Sequence, residues 1–257
     1  MLKLYGRFFS INLKSQMQYK TSFFLMFFGQ FIIAFSSFLG MYFLFSRFNT
    51  VEGFTMREVL LCFSAVNMAF AIAETFVRGF DVFSVMISNG DFDRILLRPR
   101  NVIFLVLASK MEFSRLGKLL QGLLIVAVAV PAVEWTWDKA VTYLLMVVSG
   151  AFIFSCLFII GASVCFFTTE SLEILNIFTD GTKQFGQYPI SIYGEGILKF
   201  LTYVLPVALF QYYPFLYLLG RKTSAFYMLC PLLTVLFFIP TYILWRIGLR
   251  HYKSTGS

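Results

Sequence analysis

Residues Val141–Phe167 read VTYLLMVVSGAFIFSCLFIIGASVCFF, an unbroken run without Asp, Glu, Lys or Arg. A helix rises about 1.5 Å per residue, so this run spans about 40 Å, more than the roughly 30 Å hydrocarbon core of a bilayer. A membrane-barrel strand would alternate apolar and polar residues, and this run does not. It therefore reads as a membrane-crossing helix.

Further apolar runs lie on either side: Ser22–Ser46, Val59–Val77, Leu119–Val133, Ile197–Leu219 and Phe226–Trp245. Of 257 residues 59% are hydrophobic, 13% are charged and 34 are Phe, whereas soluble chains carry roughly 25% charged residues. That excludes an ordinary soluble domain. The fold class is all-α, a polytopic membrane protein with about six crossings.

Lys and Arg set the orientation, because positively charged loops stay in the cytoplasm. Fourteen fall before the first run, between the second and third, or after the last, against six on the opposite side. Both termini are expected to be cytoplasmic, in a cell (inner) membrane. The net charge of +8 is strung along the membrane edge, so anionic lipid headgroups are the expected counter-charge rather than nucleic acid. The first run is too long for a signal-peptide core and lacks a small-residue cleavage site, so it reads as a retained span. Cys62, Cys156, Cys165 and Cys230 sit in or at the ends of apolar runs without CxxC spacing, and His251 is the sole histidine. The cysteines read as packing residues, not as metal ligands.

Residues 1–21 place Tyr5, Phe8, Phe9, Leu13 and Met17 near helical spacing among Lys3, Arg7 and Lys14, the pattern of an interfacial helix. Glu74 interrupts the second run, where an ionised carboxylate needs a partner. Arg78, four residues on, would supply one within the helix. The alternative is a contact with substrate or a second subunit. Farther along, Glu173, Asn176, Asp180, Lys183, Gln184 and Gln187 fall on one helical stripe. Such a helix either lies flat on the membrane or crosses it with the stripe turned toward protein or a water-filled path. Asp180 and Lys183, three residues apart, could neutralise one another. Gly186, Pro189, Gly194, Gly196, Pro206 and Pro214 then break the next stretch repeatedly, as a Pro-kinked span or a re-entrant pair would require.

The sequence holds no GxxxxGK[ST] phosphate loop, no HExxH and no GxSxG, so an enzyme is not expected. It does resemble the permease subunits of the ABC-2 class of ATP-driven exporters, in the branch long held as a domain of unknown function. The likeness rests on Gly90-Asp91-Phe92-Asp93-Arg94-Ile95-Leu96-Leu97-Arg98-Pro99, on Tyr188-Pro189-Ile190-Ser191-Ile192-Tyr193, and on Leu205-Pro206 with Gln211-Tyr212-Tyr213-Pro214 and Leu219-Gly220. The tail from Gly248-Leu249-Arg250 to Tyr252, then Ser254-Thr255-Gly256-Ser257, completes it.

The resemblance implies a half-transporter that pairs with a second permease of the same or related sequence and with ABC ATPase subunits, which would hold the ATP and Mg that this chain does not bind. It implies one transmembrane domain over 1–257: an interfacial helix at 1–21, spans at 22–46, 57–80, 114–133, 139–167, 171–190 and 225–246, a cytoplasmic coupling loop at 81–113, and a re-entrant extracellular segment at 195–220. On that scheme 171–190 replaces 197–219 as the fifth crossing. Gly90, Asp91, Asp93, Arg94, Leu97, Arg98 and Pro99 would couple to the ATPase, since a plain retention loop has no need of two aspartates among its arginines. Glu74, Asn176, Asp180, Lys183 and Gln187 would face the translocation path or dimer interior. Pro189, Tyr193, Pro206, Tyr212, Tyr213 and Pro214 would shape the re-entrant segment. The competing readings are an ATP-independent channel or secondary transporter using Asp180 and Lys183, and an assembly subunit without transport.

Overall fold

The computed structural model of the chain describes residues 2–168 and 173–254. Helix α1 (Leu2–Met17) is followed, after a break at Tyr19 (φ −111°, ψ 71°), by α2 (Lys20–Arg47). A hairpin of β1 (Thr50–Val51) and β2 (Phe54–Thr55) turns through Glu52 and Gly53, both at positive φ (51° and 74°), as a two-residue hairpin turn of this hand requires. Thr55 and Glu58 then form a capping box, with the Thr55 backbone N–H donating to Glu58 Oε2 at 2.7 Å. That fixes the start of α3 (Met56–Phe76).

Val77 leaves helical geometry (φ −114°, ψ 14°), so α3 stops at Phe76 and the span expected over 57–80 ends four residues early. Four short helices follow: α4 (Arg78–Asp81), α5 (Phe83–Ser88), α6 (Asp91–Leu96) and α7 (Val102–Ser109). Then come α8 (Leu116–Ala129), flanked by 3-10 turns, and α9 (Trp137–Thr168). Beyond them lie α10 (Glu173–Gly186), α11 (Glu195–Tyr203), α12 (Val207–Phe210), α13 (Tyr212–Leu218) and α14 (Ala225–Leu229). A 3-10 helix over Cys230–Phe237 leads into α15 (Phe238–His251).

Among the described residues five helices are long and apolar enough to cross a membrane: Lys20–Arg47, Met56–Phe76, Phe113–Ala132, Trp137–Thr168 and Ala225–His251. The pair Glu195–Tyr203 and Val207–Leu218 is bent by 88°, which makes it either a broken sixth span or a re-entrant loop. Helix α10 has 14 residues, about 21 Å of rise, and stops at Gly186 rather than 190. Residues 171–172 of the expected fifth span lie outside the described residues.

Helix α3 is the central post. It packs on α8 and α9, and its buried residues mix large apolar side chains such as Leu60, Leu61, Phe63 and Phe70 with small or polar ones: Cys62, Ser64, Ala65, Asn67, Ala69, Ala71, Ala73 and Thr75. Small side chains let helix backbones approach where no water drives them together. At Gly150 of α9 a Cβ would lie 2.8 Å from both Ala69 and Phe210, so the crossing is closed to any larger residue. All four cysteines are free and buried.

Candidate functional site

The loop between the second and third long helices is folded rather than open. Gly90 takes a left-handed φ of 70°, which turns α5 into α6 and swings Phe92 inward. Phe92 meets Phe83 at 5.0 Å between ring centroids, Phe166 of α9 at 5.4 Å and Tyr252 at 5.0 Å. Trp245 of α15 joins this cluster, 5.1 Å from Phe166 and 5.5 Å from Phe83. Phe83, Phe92 and Trp245 are fully buried. Each such ring pair contributes about 0.5–1.5 kcal/mol beyond its buried area. Gly248 permits the α15–α9 approach, since a Cβ there would meet Phe166 at 2.6 Å and the Ser163 carbonyl at 2.8 Å.

Polar contacts reinforce the knot. Tyr252 donates its hydroxyl to Asp93 Oδ1 at 2.9 Å, and Ser254 donates to Asp93 Oδ2 at 2.6 Å. Burial, then the Asp93 carboxylate as acceptor, pushes the Tyr252 phenol up to about 12. Asp93 thus fastens the loop to the tail, a role different from a surface contact. Asp91, Arg94, Leu97 and Arg98 stay outward. Arg94 reaches Asp91 only at 3.5 Å, and Leu97 is 85% exposed. Pro99 is also exposed. An open groove of 520 Å³ runs between Phe8 of α1 and this loop, with Asp91, Arg94, Arg98 and Lys110 at its polar positions.

Glu74 does not pair with Arg78. The break at Val77 carries Arg78 off the helix face, and it binds Asp81 and, at 2.8 Å, Glu112. Glu74 instead receives Arg115 Nη1 at 3.1 Å and Lys118 Nζ at 2.5 Å. Lys118 is buried inside α8 rather than placed in the loop, and the charge bias between the two sides stands without it. Arg115 also lies 3.2 Å from Glu112, so α3, α8 and the segment between α7 and α8 share one ionic network. Removing one member of such a buried pair strands the other, at a cost of about 3–5 kcal/mol. Helix α1 is clamped to the same segment. Gln16 donates to the Met111 carbonyl at 2.6 Å and accepts from the Phe113 N–H at 2.9 Å, while Asn12 accepts from the Met111 N–H at 3.3 Å.

The polar stripe of α10 borders a second open cavity, of 500 Å³, facing Ser37, Gly40 and Met41 of α2. Asp180, Lys183, Gln184 and Gln187 line it together; the side chains of Glu173 and Asn176 lie outside the described residues. Among the described residues no ion pair joins Asp180 to Lys183, so they do not neutralise one another at close range. Lys183 Nζ sits 4.8 Å from the centroid of the Phe70 ring, and Lys118 Nζ lies 5.5 Å from the same ring. A desolvated ammonium over a ring gains about 2 kcal/mol. Gln187 is buried and donates to Asn67 at 3.4 Å.

The irregular stretch holds its residues by specific contacts. Tyr193 packs on Phe185 at 4.9 Å, and Gln211 donates to the Tyr188 carbonyl at 2.9 Å. Pro189, Pro206 and Pro214 are buried, with Tyr212 and Tyr213 half-buried. Beyond Pro214 the chain meets the hairpin, where Arg221 donates to the Gly53 carbonyl at 2.7 Å and stacks over Phe54 at 4.1 Å.

Sequence reading missed Arg115 and Lys118 as the partners of Glu74. Two cations three apart at the head of an apolar run were a usable signal. Asn12 and Gln16, amides four apart on one face of α1, were another. No spacing announces the ring cluster of Phe83, Phe166 and Trp245.

Long apolar helices packed around α3, with buried charges paired internally and a folded loop at one end, define a multi-pass membrane protein. Residues 31–256 match the model for the ABC-2 family transporter proteins, and the chain belongs to that family. Its members are membrane components rather than enzymes, and membership implies association with ABC ATPase subunits. No curated protein and no solved structure matches the chain.

Proposed function

We propose that this chain is the membrane-spanning subunit of an ATP-driven exporter. It builds its path with a second permease of the same or a related sequence, and both termini lie on the cytoplasmic side of the cell (inner) membrane with the ATPase subunits that hold ATP and Mg. The observation that carries the coupling is the aromatic knot. Coupling requires an element whose displacement reaches distant parts. Helix α6 is fastened through Phe92 and Asp93 to α9 and to the tail that continues from α15. A push on the outward Arg94, Leu97 and Arg98 would therefore move both long helices together. Helix α1, clamped through Asn12 and Gln16, would follow.

The stripe of Asp180, Lys183 and Gln187 borders the path in this reading, because charges that face lipid cost several kcal/mol and α10 turns these into a cavity instead. Helix α10 with the residues after it then makes the fifth crossing, and the bent pair is re-entrant from outside. Cysteine at position 195, in a background without the native four, should react with an impermeant thiol reagent applied outside. Labelling only after the cytoplasmic side is opened would restore 197–219 as a plain span. The function itself is tested by tagging the protein, extracting it in mild detergent and identifying every subunit that co-purifies. An ABC ATPase is expected. Its absence, together with transport that follows a proton or sodium gradient, would favour the gradient-driven reading in which Asp180 and Lys183 act as ion or proton sites.

A further inference from the structure

A third concavity, of 580 Å³, lies between the bent pair and the last long helix. Its walls are Pro206 and Leu209 on one side and Phe226, Leu233, Leu236 and Pro240 on the other. Among the described residues no charged side chain lines it. Its polar residues are Thr202, Tyr203 and Tyr213, and the Thr202 and Tyr213 hydroxyls lie together. Thr202 spends its proton on the Leu198 carbonyl at 2.6 Å, so the Tyr213 hydroxyl, 3.2 Å away, is the donor of that pair and keeps its own oxygen free to accept. The concavity opens onto the apolar outer face of the last helix, where Leu232, Val235, Leu236 and Ile239 are each more than half exposed. In a multi-pass membrane protein that face meets hydrocarbon.

From these features we propose that the groove is a binding site for a single acyl chain of an amphiphile whose head is polar and uncharged, held beside the Thr202 and Tyr213 hydroxyls. The continuity of the groove with the lipid-facing surface selects the occupant, and the absence of charge in its lining selects the head. Concave apolar sites of several hundred Å³ with a few convergent polar groups are the usual form of small-ligand sites.

The far wall can also change length. Cys230–Phe237 is an eight-residue 3-10 helix, longer than such helices usually run, and Cys230 Sγ anchors its start on the Leu209 carbonyl at 3.3 Å. Rewinding it as α-helix would shorten the wall by about 4 Å. Helix α15 continues directly from it into the aromatic knot, so movement of the loop would reshape the groove. This names a substrate class for the export reading and rests on it, although binding itself requires no ATPase.

The test uses the purified full chain, without ATPase, in nanodiscs containing phosphatidylcholine with a diazirine halfway along one acyl chain. Photolabel should concentrate on the peptides holding Leu209–Tyr213 and Leu233–Leu236, and should fall several-fold as unlabelled diacylglycerol is added. Labelling of Phe24, Leu25 and Ile32 on the exposed face of α2 should not change. The double variant Leu209→Trp with Leu233→Trp should remove the saturable part alone. Labelling of the groove that matches α2 and resists competition would overturn the site, and the wild-type competition decides this if the variant fails to fold. That outcome leaves ATPase co-purification intact, whereas failure to recover an ATPase leaves the labelling result standing.

Discussion

Helices α2 and α3 are both apolar enough to span a bilayer, yet their surroundings are opposite: 6% of the most apolar stretch of α2 is buried inside the protein, against 83% for α3. Hydropathy identifies both as spans and cannot say which is central. Residue type can. Helix α3 carries Ser64, Asn67, Glu74 and Thr75 with alanines between them, groups that either need partners or permit close approach. Helix α2 carries Phe24, Leu25, Phe28, Ile32, Ile33 and Phe43 outward, which suits lipid or a second apolar surface. The helix that carries buried polar groups is thus the post, and the one without them is the outer one.

The contrast is broken most severely at Glu74. Changing Glu74→Leu on the post strands Lys118 and leaves Arg115 with Glu112 alone, and should cost about 3–5 kcal/mol. Little monodisperse protein should survive detergent extraction and size-exclusion chromatography; recovery equal to wild type would show that the network does not hold α3 to α8.

An intermediate effect is expected where the two helices share a cavity, since the α10 stripe faces α2 on one side and touches Phe70 and Asn67 of α3 on the other. The pair Asp180→Leu with Lys183→Leu removes both charges and strands neither. Assembly should persist while transport rate or substrate preference changes. Wild-type transport of every substrate tried would reduce the stripe to packing.

The smallest effect belongs to the outer helix. Leu25 is 69% exposed, and Leu25→Ala should shift stability by no more than about 0.5 kcal/mol, read as an unchanged melting temperature in detergent. A clear drop in apparent mass with no change in melting would instead make this face the seat of the second copy.

How much was legible follows from the same physics. Four of the long helices stand out as unbroken apolar runs, and the positions of Gly and Pro foretell the bend after Tyr203. Local spacing misled at Glu74, because four residues is a helix interval only while the helix continues, and Val77 ends it. The part of the stripe held by Asp180, Lys183 and Gln184 was readable because those residues share one helix. Arg115 and Lys118 offered a signal in their spacing at the head of an apolar run, but not their pairing with Glu74, since pairing across helices depends on which faces meet and a single sequence does not encode that openly. Asp93 was visible as a loop charge but not as the anchor for Tyr252 and Ser254, which lie about 160 positions away in sequence.

The central claim is that force from an ATPase enters at α6. Replacing Arg94 and Arg98 together by Glu inverts the outward charge of that loop and leaves the buried Phe92, Phe83 and Trp245 untouched. Membrane insertion and melting should match wild type, while the permease should no longer stimulate ATP hydrolysis by the ATPase recovered with it. Full stimulation by a double variant that inserts normally would contradict the account.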